Sequence, residues 1–427
     1  MEPQSQAKRY SSPYLSKEFL AFWIAGVLNN ATYVVMNAGA KQISPQAVGY
    51  VYVCNVLPSF LTQLSGPYWY HYIPYASRMK IVACCMSISF LLVAFGQIYD
   101  ILYLQFIGIA ITSFQSGFGE ASFLSFSAFF SDSRLVLTGW SSGTGMAGIV
   151  GYAWVSILMY QFQLEFYWVL LLGQIFPVLY VLDVLCVLPW PEISREKKKM
   201  SLVGKSEIDT YHNLEQTAGD DDSSAYLIQN DEDGVEDNGG LPTDRSHAAV
   251  TMTGKERLNA AFGLWKYMIP LFLVYFAEYI TQSGTWAAIG FPVNSKEARN
   301  KFYEYANFTY QIGVFVSRSS GLVCKANLKV MWVLPFVQVA LMSFFISDAY
   351  AQYWYNWSLL APAFCVGLIG GAVYIGVFAL IAEEVKPQLK EFSMGVAIIA
   401  NTIGILASNV CGLYVQKFLY KYHNLHD

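Results

Sequence analysis

The chain has little charge for its 427 residues. Asp, Glu, Lys and Arg make up only 13% of it, whereas 55% of the residues are hydrophobic. The mean hydropathy is +0.37. These values lie outside the range of ordinary soluble domains. A soluble enzyme or binding module is therefore excluded, and we expect the lipid bilayer to be the main partner.

The sequence also has little that indicates a cleavable leader. Residues 1–18 are polar, and no small-residue cleavage site follows the first apolar run. A removable signal peptide is not predicted. We expect 1–18 to be a cytosolic tail and the first apolar run to be an uncleaved anchor.

Catalytic and metal-binding patterns are missing as well. The seven cysteines lie in or beside apolar runs without CxxC or Cys/His spacing, which argues against a metal site or a disulfide framework. There is no Ser-His-Asp set, HExxH or P-loop. We therefore predict no enzyme activity, no cofactor, no metal and no nucleic-acid partner.

What the sequence does contain is a series of apolar runs long enough to cross about 30 Å of hydrocarbon. They predict an all-α polytopic membrane protein with about eleven transmembrane helices. The predicted spans are 19–40, 47–66, 80–98, 101–130, 141–162, 166–189, 267–291, 304–323, 328–347, 353–382 and 392–416.

Lys and Arg are distributed unequally between the loops. With a cytosolic N-terminus, 20 of the 26 lie on the cytosolic side and 6 on the opposite side. The positive-inside rule favours this orientation. Lys417 and Lys421 fall on the far side, so the side of the C-terminus, and with it eleven or twelve spans, stays open.

A polar segment, 191–262, divides the spans. Between Ser206 and Asp244 there are 12 Asp or Glu and no Lys or Arg, which predicts a disordered acidic cytosolic linker. The resulting regions are 1–18 (tail), 19–190 (six-helix bundle), 191–262 (linker), 263–416 (five-helix bundle) and 417–427 (tail).

Two short patterns in the linker resemble sorting signals. Tyr211 and Leu214 fit the tyrosine-x-x-bulky-apolar pattern, and Leu227-Ile228 follows acidic residues in the manner of a dileucine signal. Both point to clathrin-adaptor-type sorting proteins as partners. Such short patterns also arise by chance.

The two bundles show weak internal similarity. Gly117–Phe123 (GFGEASF) is echoed by Gly370–Tyr374 (GGAVY), and Trp140–Gly143 by Phe392–Gly395, at an offset of about 253 residues. A parallel duplication of this kind is typical of major-facilitator-type transporters, whose substrate site lies between the halves.

Two acids lie inside the apolar runs. Glu120 is in the fourth span and Glu278 in the seventh. A carboxylate at bilayer depth costs at least about 2.5–3.5 kcal/mol, so it persists where it faces a cavity or a partner. Both are candidates for binding a proton or a substrate, and the alternative is a neutral acid that holds helices together.

Other polar residues in the spans are weaker candidates. Arg318 can bind an anionic substrate or pair with an acid, or extend to the headgroups. Asn29, Asn30, Gln282 and Asn401 are candidates for cavity lining, although single amides often only bridge helices.

Gly143, Gly145 and Gly148 spell the dinucleotide pattern GxGxxG inside a span. That chemistry needs a preceding soluble strand and an acidic residue about 20 positions on, so we reject it. We interpret the three glycines as a close helix–helix interface.

Asn307 and Asn356 match the glycosylation sequon on the non-cytosolic side.

Several stretches resemble the battenin family, lysosomal membrane proteins linked to juvenile neuronal ceroid lipofuscinosis. They are Phe22–Met36, Ser116–Ser125, Trp140–Gly145, Val274–Tyr279, Tyr310–Ser320 and Glu391–Met394, in both halves and in the same order.

The resemblance implies a late-endosomal and lysosomal location and a facilitator-like fold. It also implies roles in glycerophosphodiester clearance, transport of basic amino acids such as arginine, and lysosomal pH control. The matched stretches include Glu120, Glu278 and Arg318. The family pattern has an aspartate where this chain has Asn401, which weakens any mechanism that needs a carboxylate there.

Two functions follow from these observations. The first is a lysosomal transporter of a small solute, coupled to protons through Glu278 and Glu120, that works by alternating access. The second is a non-transporting membrane scaffold whose linker recruits trafficking adaptors.

Overall fold

A computed structural model describes residues 16–43, 48–190 and 254–425, and every regular element in these ranges is a helix. We number the long helices α1 to α11. They are α1 Lys17–Ala38, α2 Val48–Trp69, α3 Tyr75–Ile98, α4 Leu102–Phe126, α5 Ser133–Ser156, α6 Phe166–Val187, α7 Trp265–Ile280, α8 Lys296–Ser319, α9 Leu328–Ala351, α10 Leu360–Glu384 and α11 Pro387–Tyr422.

Each predicted span overlaps one of these helices. In the described part of the chain, seven helical stretches are long and apolar enough by themselves to cross a membrane. α2, α4, α7 and α8 are not among them; α7 has only 16 residues and α8 opens with a charged turn. The all-helical class is confirmed, and the number of eleven spans stays a prediction.

Several helices begin before the spans that the sequence predicts. α3 begins at Tyr75 instead of 80, α5 at Ser133 instead of 141, and α8 at Lys296 instead of 304. Hydropathy detects only the hydrocarbon-spanning part, whereas a helix continues until its free N–H groups are capped. The Asp132 and Ser295 side chains supply such caps for α5 and α8.

Two predicted polar regions are also partly helical. A helix, Gly254–Gly263, occupies the end of the segment 191–262 that we expected to be disordered. α11 continues to Tyr422, well into the predicted tail 417–427. Aromatic packing accounts for this extension, because Tyr350 of α9 lies between Phe418 and Tyr422, at ring-centroid distances of 5.9 and 4.1 Å.

The helices pack mainly within two halves. In the N-terminal half α1 lies along α5, and α4 packs between α2 and α3. In the C-terminal half α8 lies along α10, and α7 packs on α9 and α11. The halves meet where α5 contacts α8 and α10, and where α11 contacts α2 and α4.

Candidate functional site

A cavity of ≈ 160 Å³ lies between the two halves. Its walls come from α1, α2, α4 and α5 on one side and from α7, α8 and α11 on the other. The lining residues are Asn30, Tyr33, Val34, Asn55, Val56, Ser59, Gln63, Ser116, Glu120, Thr144, Gly148, Tyr275, Tyr279, Tyr310, Gln311, Val314, Arg318, Asn401, Thr402 and Ile405. Only two of these carry a charge, Glu120 and Arg318.

The Glu120 carboxylate connects the halves through hydrogen bonds. The Tyr374 hydroxyl of α10 donates to Glu120 Oε1 at 2.7 Å. Gln63 Nε2 lies 3.5 Å from Glu120 Oε2, and Thr402 of α11 donates to Gln63 Oε1. Glu120 is therefore held by donors from both halves.

The bond between Tyr374 and Glu120 joins residues 254 positions apart. This separation differs by one from the offset of about 253 residues between the two similar motifs that contain them. The two residues thus occupy nearly equivalent positions of the proposed repeats. Equivalent positions touch only near the axis that relates the two copies, so we expect the pseudo-twofold axis of a facilitator-like fold to pass close to this bond.

Arg318 provides the positive charge of the cavity. Its Nη1 donates to Thr144 Oγ1 at 2.6 Å and its Nη2 to the Tyr275 hydroxyl at 2.9 Å. The guanidinium also lies over the Tyr374 ring, 4.2 Å from its centroid. No carboxylate oxygen of the described residues lies within 4.0 Å of the guanidinium, the distance that makes an ion pair, so its close partners among these residues are neutral.

Glu278 lies on α7 behind the cavity wall and is 1% exposed. Tyr310, which lines the cavity, donates its hydroxyl hydrogen to Glu278 Oε1. Glu278 Oε2 has no hydrogen-bond partner among the described residues. A Cβ added to Gly370 would collide with this oxygen, so glycine at position 370 leaves room for the carboxylate in its present position.

The amide candidates divide into two groups. Asn30 and Asn401 line the cavity, and Asn401 Oδ1 has no partner among the described residues. Asn29 does not line it. Its Nδ2 donates to the Ser116 carbonyl at 3.2 Å, and its Oδ1 accepts from Gln115 at 2.7 Å.

Asn29 and Gln282, both candidates for cavity lining, thus lie away from this cavity. Consecutive residues of an α-helix are turned by about 100°, which directs Asn29 toward α4 when Asn30 faces the cavity. Gln282 lies in a π-helical turn, Thr281–Thr285, that follows α7. It is absent from the lining residues.

The three glycines of α5 lie at two different interfaces. A Cβ on Gly145 would contact Phe315 of α8 at 3.0 Å, and one on Gly148 would collide with Gln311. Both positions therefore lie between the halves. A Cβ on Gly143 would instead collide with the Trp23 carbonyl of α1, inside the N-terminal half.

Below the cavity, at the end that we predict to be cytosolic, a polar cluster joins the halves. We call Tyr75, Arg78 and Glu391 the latch. The Tyr75 hydroxyl donates to Glu391 Oε1 at 2.5 Å, and Arg78 Nη2 lies 4.0 Å from the same oxygen. The Ser125 hydroxyl adds a bond to the Glu391 carbonyl at 3.2 Å.

A second set of contacts lies at the same end. Arg134 of α5 donates to the carbonyl oxygens of Gly321 and Cys324 at 2.8 and 2.7 Å. The hydroxyls of Ser142 and Ser319 are hydrogen-bonded at 2.8 Å. Together with the latch, these contacts close that end of the gap between the halves.

Sequence reasoning missed the tyrosines of the site. Tyr275, Tyr310 and Tyr374 bind the charged groups directly. Tyr275 and Tyr279 lie one turn apart on the face of α7 that carries Glu278, which is a signal the sequence offered. With 30 tyrosines in the chain, that signal alone is weak.

Asn356 and Asn307 differ in accessibility. Asn356 is exposed in the loop between α9 and α10. Asn307 is half-buried inside α8, where its Nδ2 donates to the Tyr303 carbonyl at 2.8 Å. The sorting patterns at 211–214 and 227–228 lie outside the described residues.

Solved structures with the same fold are major facilitator transporters. The proton:xylose symporter XylE aligns with a TM-score of 0.62 at 10% identity, covering 97% of this chain and 92% of that one. The fucose:proton symporter FucP of E. coli aligns with a TM-score of 0.55 at 12% identity, covering 97% and 99%. The facilitator-like fold is thereby confirmed.

Curated relatives extend over nearly the whole chain. Protein btn-1 of Neurospora crassa is 29% identical over 415 residues, which are 94% of this chain and 88% of that protein. Battenin of Canis lupus familiaris is 28% identical over 450 residues, covering 96% and 93%. The family model described as CLN3 protein matches residues 20–422. The predicted relationship to the battenins is therefore confirmed, and the chain belongs to the CLN3 protein family.

Proposed function

We propose that this chain is a lysosomal and late-endosomal transporter that moves a small solute by alternating access of its two halves. The proposed solutes are glycerophosphodiesters and basic amino acids such as arginine, and their efflux supports lysosomal homeostasis and pH. The observation that carries the proposal is the cavity between the halves, which has Glu120 on one wall and Arg318 on the other.

The contacts at the latch end support a particular conformation. In alternating access one end of the cavity is closed while the other is open. The latch and the Arg134 contacts hold the halves together at the end that we predict to be cytosolic. The conformation described here would accordingly be closed toward the cytosol.

Glu278 is the residue that we propose to couple transport to protons. One carboxyl oxygen accepts a hydrogen bond from Tyr310, and the other has no partner in the described parts of the chain. A buried acid of this kind can hold or release a proton as the halves rearrange. Tyr310 lines the cavity, so the same contact can transmit the change to a bound solute.

Transport by the purified chain in liposomes tests the proposal. Labelled glycerophosphocholine and labelled arginine are offered separately, with an acidic compartment on one side. We expect protein-dependent flux of at least one solute, lost in Glu278→Gln and kept in Glu384→Gln. Glu384 is the matched control, since it also accepts from a tyrosine (Tyr267, 2.6 Å) but is exposed at the end of α10. Equal flux with and without protein for both solutes would refute the transport of these solutes.

The second candidate is the scaffold that recruits sorting adaptors. It rests on the patterns around Tyr211 and Leu227 in the acidic linker. Deleting 206–244 while keeping the spans separates the two functions. If solute clearance persists once the protein is directed to lysosomes by another signal, the linker serves sorting alone.

A further inference from the structure

The cavity holds two opposite charges that are not paired with each other. Glu120 belongs to the N-terminal half and Arg318 to the C-terminal half, and Tyr374 contacts both, the first through its hydroxyl and the second through its ring face. An ion pair formed inside the site would use up both charges. Here each remains available to an external partner.

Arg318 is arranged to receive an anionic group. Its two bonded nitrogens donate to hydroxyls, which do not neutralise it, and its Nε has no partner among the described residues. A guanidinium binds carboxylate or phosphate oxygens through two parallel N–H groups. An oxyanion can therefore displace these neutral partners at a gain in electrostatic energy.

Glu120 lies in a wall that suits a cationic group. Tyr33, Tyr275, Tyr279 and Tyr310 line the same cavity. Aromatic rings attract ammonium and quaternary ammonium groups through their faces, and the attraction grows when water is excluded. A carboxylate beside these rings adds a full negative charge.

The size of the cavity limits what can occupy it. A cavity of ≈ 160 Å³ is comparable with the engineered cavity of about 150 Å³ that accommodates benzene. In this conformation the cavity excludes a peptide or a lipid, and a solute as large as glycerophosphocholine fits only when the halves move apart.

We infer that the site selects solutes that carry both charges, with the anionic group on Arg318 and the ammonium group between Glu120 and the tyrosines. This inference rests on the proposed transport function and restricts its substrates to small zwitterions and amino acids. Solutes that carry only one of the two groups bind weakly.

Binding to the purified chain in lipid nanodiscs, measured by calorimetry, tests the inference. The probes are glycerophosphocholine, glycerol 3-phosphate (anion only) and choline (cation only), and likewise arginine and agmatine, which lacks the carboxylate. Glycine betaine serves as a zwitterion outside the proposed substrates. We expect the two-charge probe of at least one series to bind ten-fold or more tightly than its single-charge analogues.

Variants show which residue binds the cationic group and which binds the anionic group. Glu120→Gln should reduce glycerophosphocholine binding to the level of glycerol 3-phosphate, and Arg318→Gln should reduce it to that of choline. Glu384→Gln should leave the rank order unchanged. The wild-type rank order is informative even if a variant fails to fold.

The outcomes separate this inference from the proposed function. Single-charge probes that bind as tightly as the zwitterions would overturn the selectivity while leaving transport intact. A third outcome is that glycine betaine binds through both charged residues while glycerophosphocholine and arginine do not bind. This result would uphold the selectivity for two charges and refute the proposed substrates. An absence of binding by every probe would overturn both.

Discussion

Replacing Glu391 by alanine should open the end of the protein that we predict to be cytosolic. The substitution removes the acceptor for the Tyr75 hydroxyl and the carboxylate 4.0 Å from Arg78. Arg78 is not left without partners, because it also donates to the carbonyl oxygens of Ile73 and Tyr70 at 2.8 and 2.6 Å. The loss therefore falls mainly on the contact between the halves.

The size of the effect follows from these two interactions. A hydrogen bond to a charged group contributes about 1.5–3 kcal/mol, and a long, partly exposed ion pair contributes about 0–1 kcal/mol. The closed state should lose about 1.5–4 kcal/mol, which shifts the ratio of closed to open molecules roughly 10- to 700-fold. The bonds of Arg134 and of the Ser125 hydroxyl do not involve the Glu391 side chain, so they remain.

Distances between spin labels can measure this shift. Labels on cysteines introduced at the exposed positions Ser131 and Lys325 report the separation of the halves, after the native cysteines have been replaced. We expect a longer-distance population in Glu391→Ala and none in Glu384→Ala. Glu384→Ala is the control because it removes a similar cluster, Glu384 with Lys266 and Tyr267, that lies within the C-terminal half. An unchanged distribution in Glu391→Ala would refute the latch.

Two further predictions concern packing and modification. Gly143→Ala should destabilise the protein by about 1–3 kcal/mol, because the new methyl group collides with the α1 backbone, whereas a methyl group at Gly263 meets nothing within 4 Å. The apparent melting temperature in detergent should fall only for the first. Asn356→Gln should remove a glycosidase-sensitive gel shift in a eukaryotic host, whereas Asn307→Gln should not. A shift that depends on Asn307 would contradict the placement of that residue, half-buried, inside α8.

The helices were predictable from the sequence because hydropathy reports directly on burial in lipid. The same reasoning identified Glu120 and Arg318, since a charge in an apolar run needs a cavity or a partner. α5 and α8 each begin eight residues before the predicted span, at 133 against 141 and at 296 against 304. A helix cap is a single residue, whereas hydropathy is averaged over a window of residues. Hydropathy therefore does not detect where a polar first turn begins.

The direction in which each helix faces was not predictable in the same way. Asn29 and Asn30 are equally polar neighbours, yet only Asn30 reaches the cavity. Which of them does so depends on how α1 packs against α4 and α5, and that packing is a property of the assembled halves. The role of Tyr374 depends on the same packing, because its partner lies 254 residues away.

α11 runs as one helix from Pro387 to Tyr422. Glu391 near its start belongs to the latch, and Thr402 in its middle belongs to the cavity. The two lie eleven residues apart (391 to 402), or about 16 Å along the axis. At its other end, Tyr422 of α11 packs on Tyr350 of α9. Because Thr402 and Glu391 lie on one continuous helix, we expect a displacement of Thr402 to reach the latch as well.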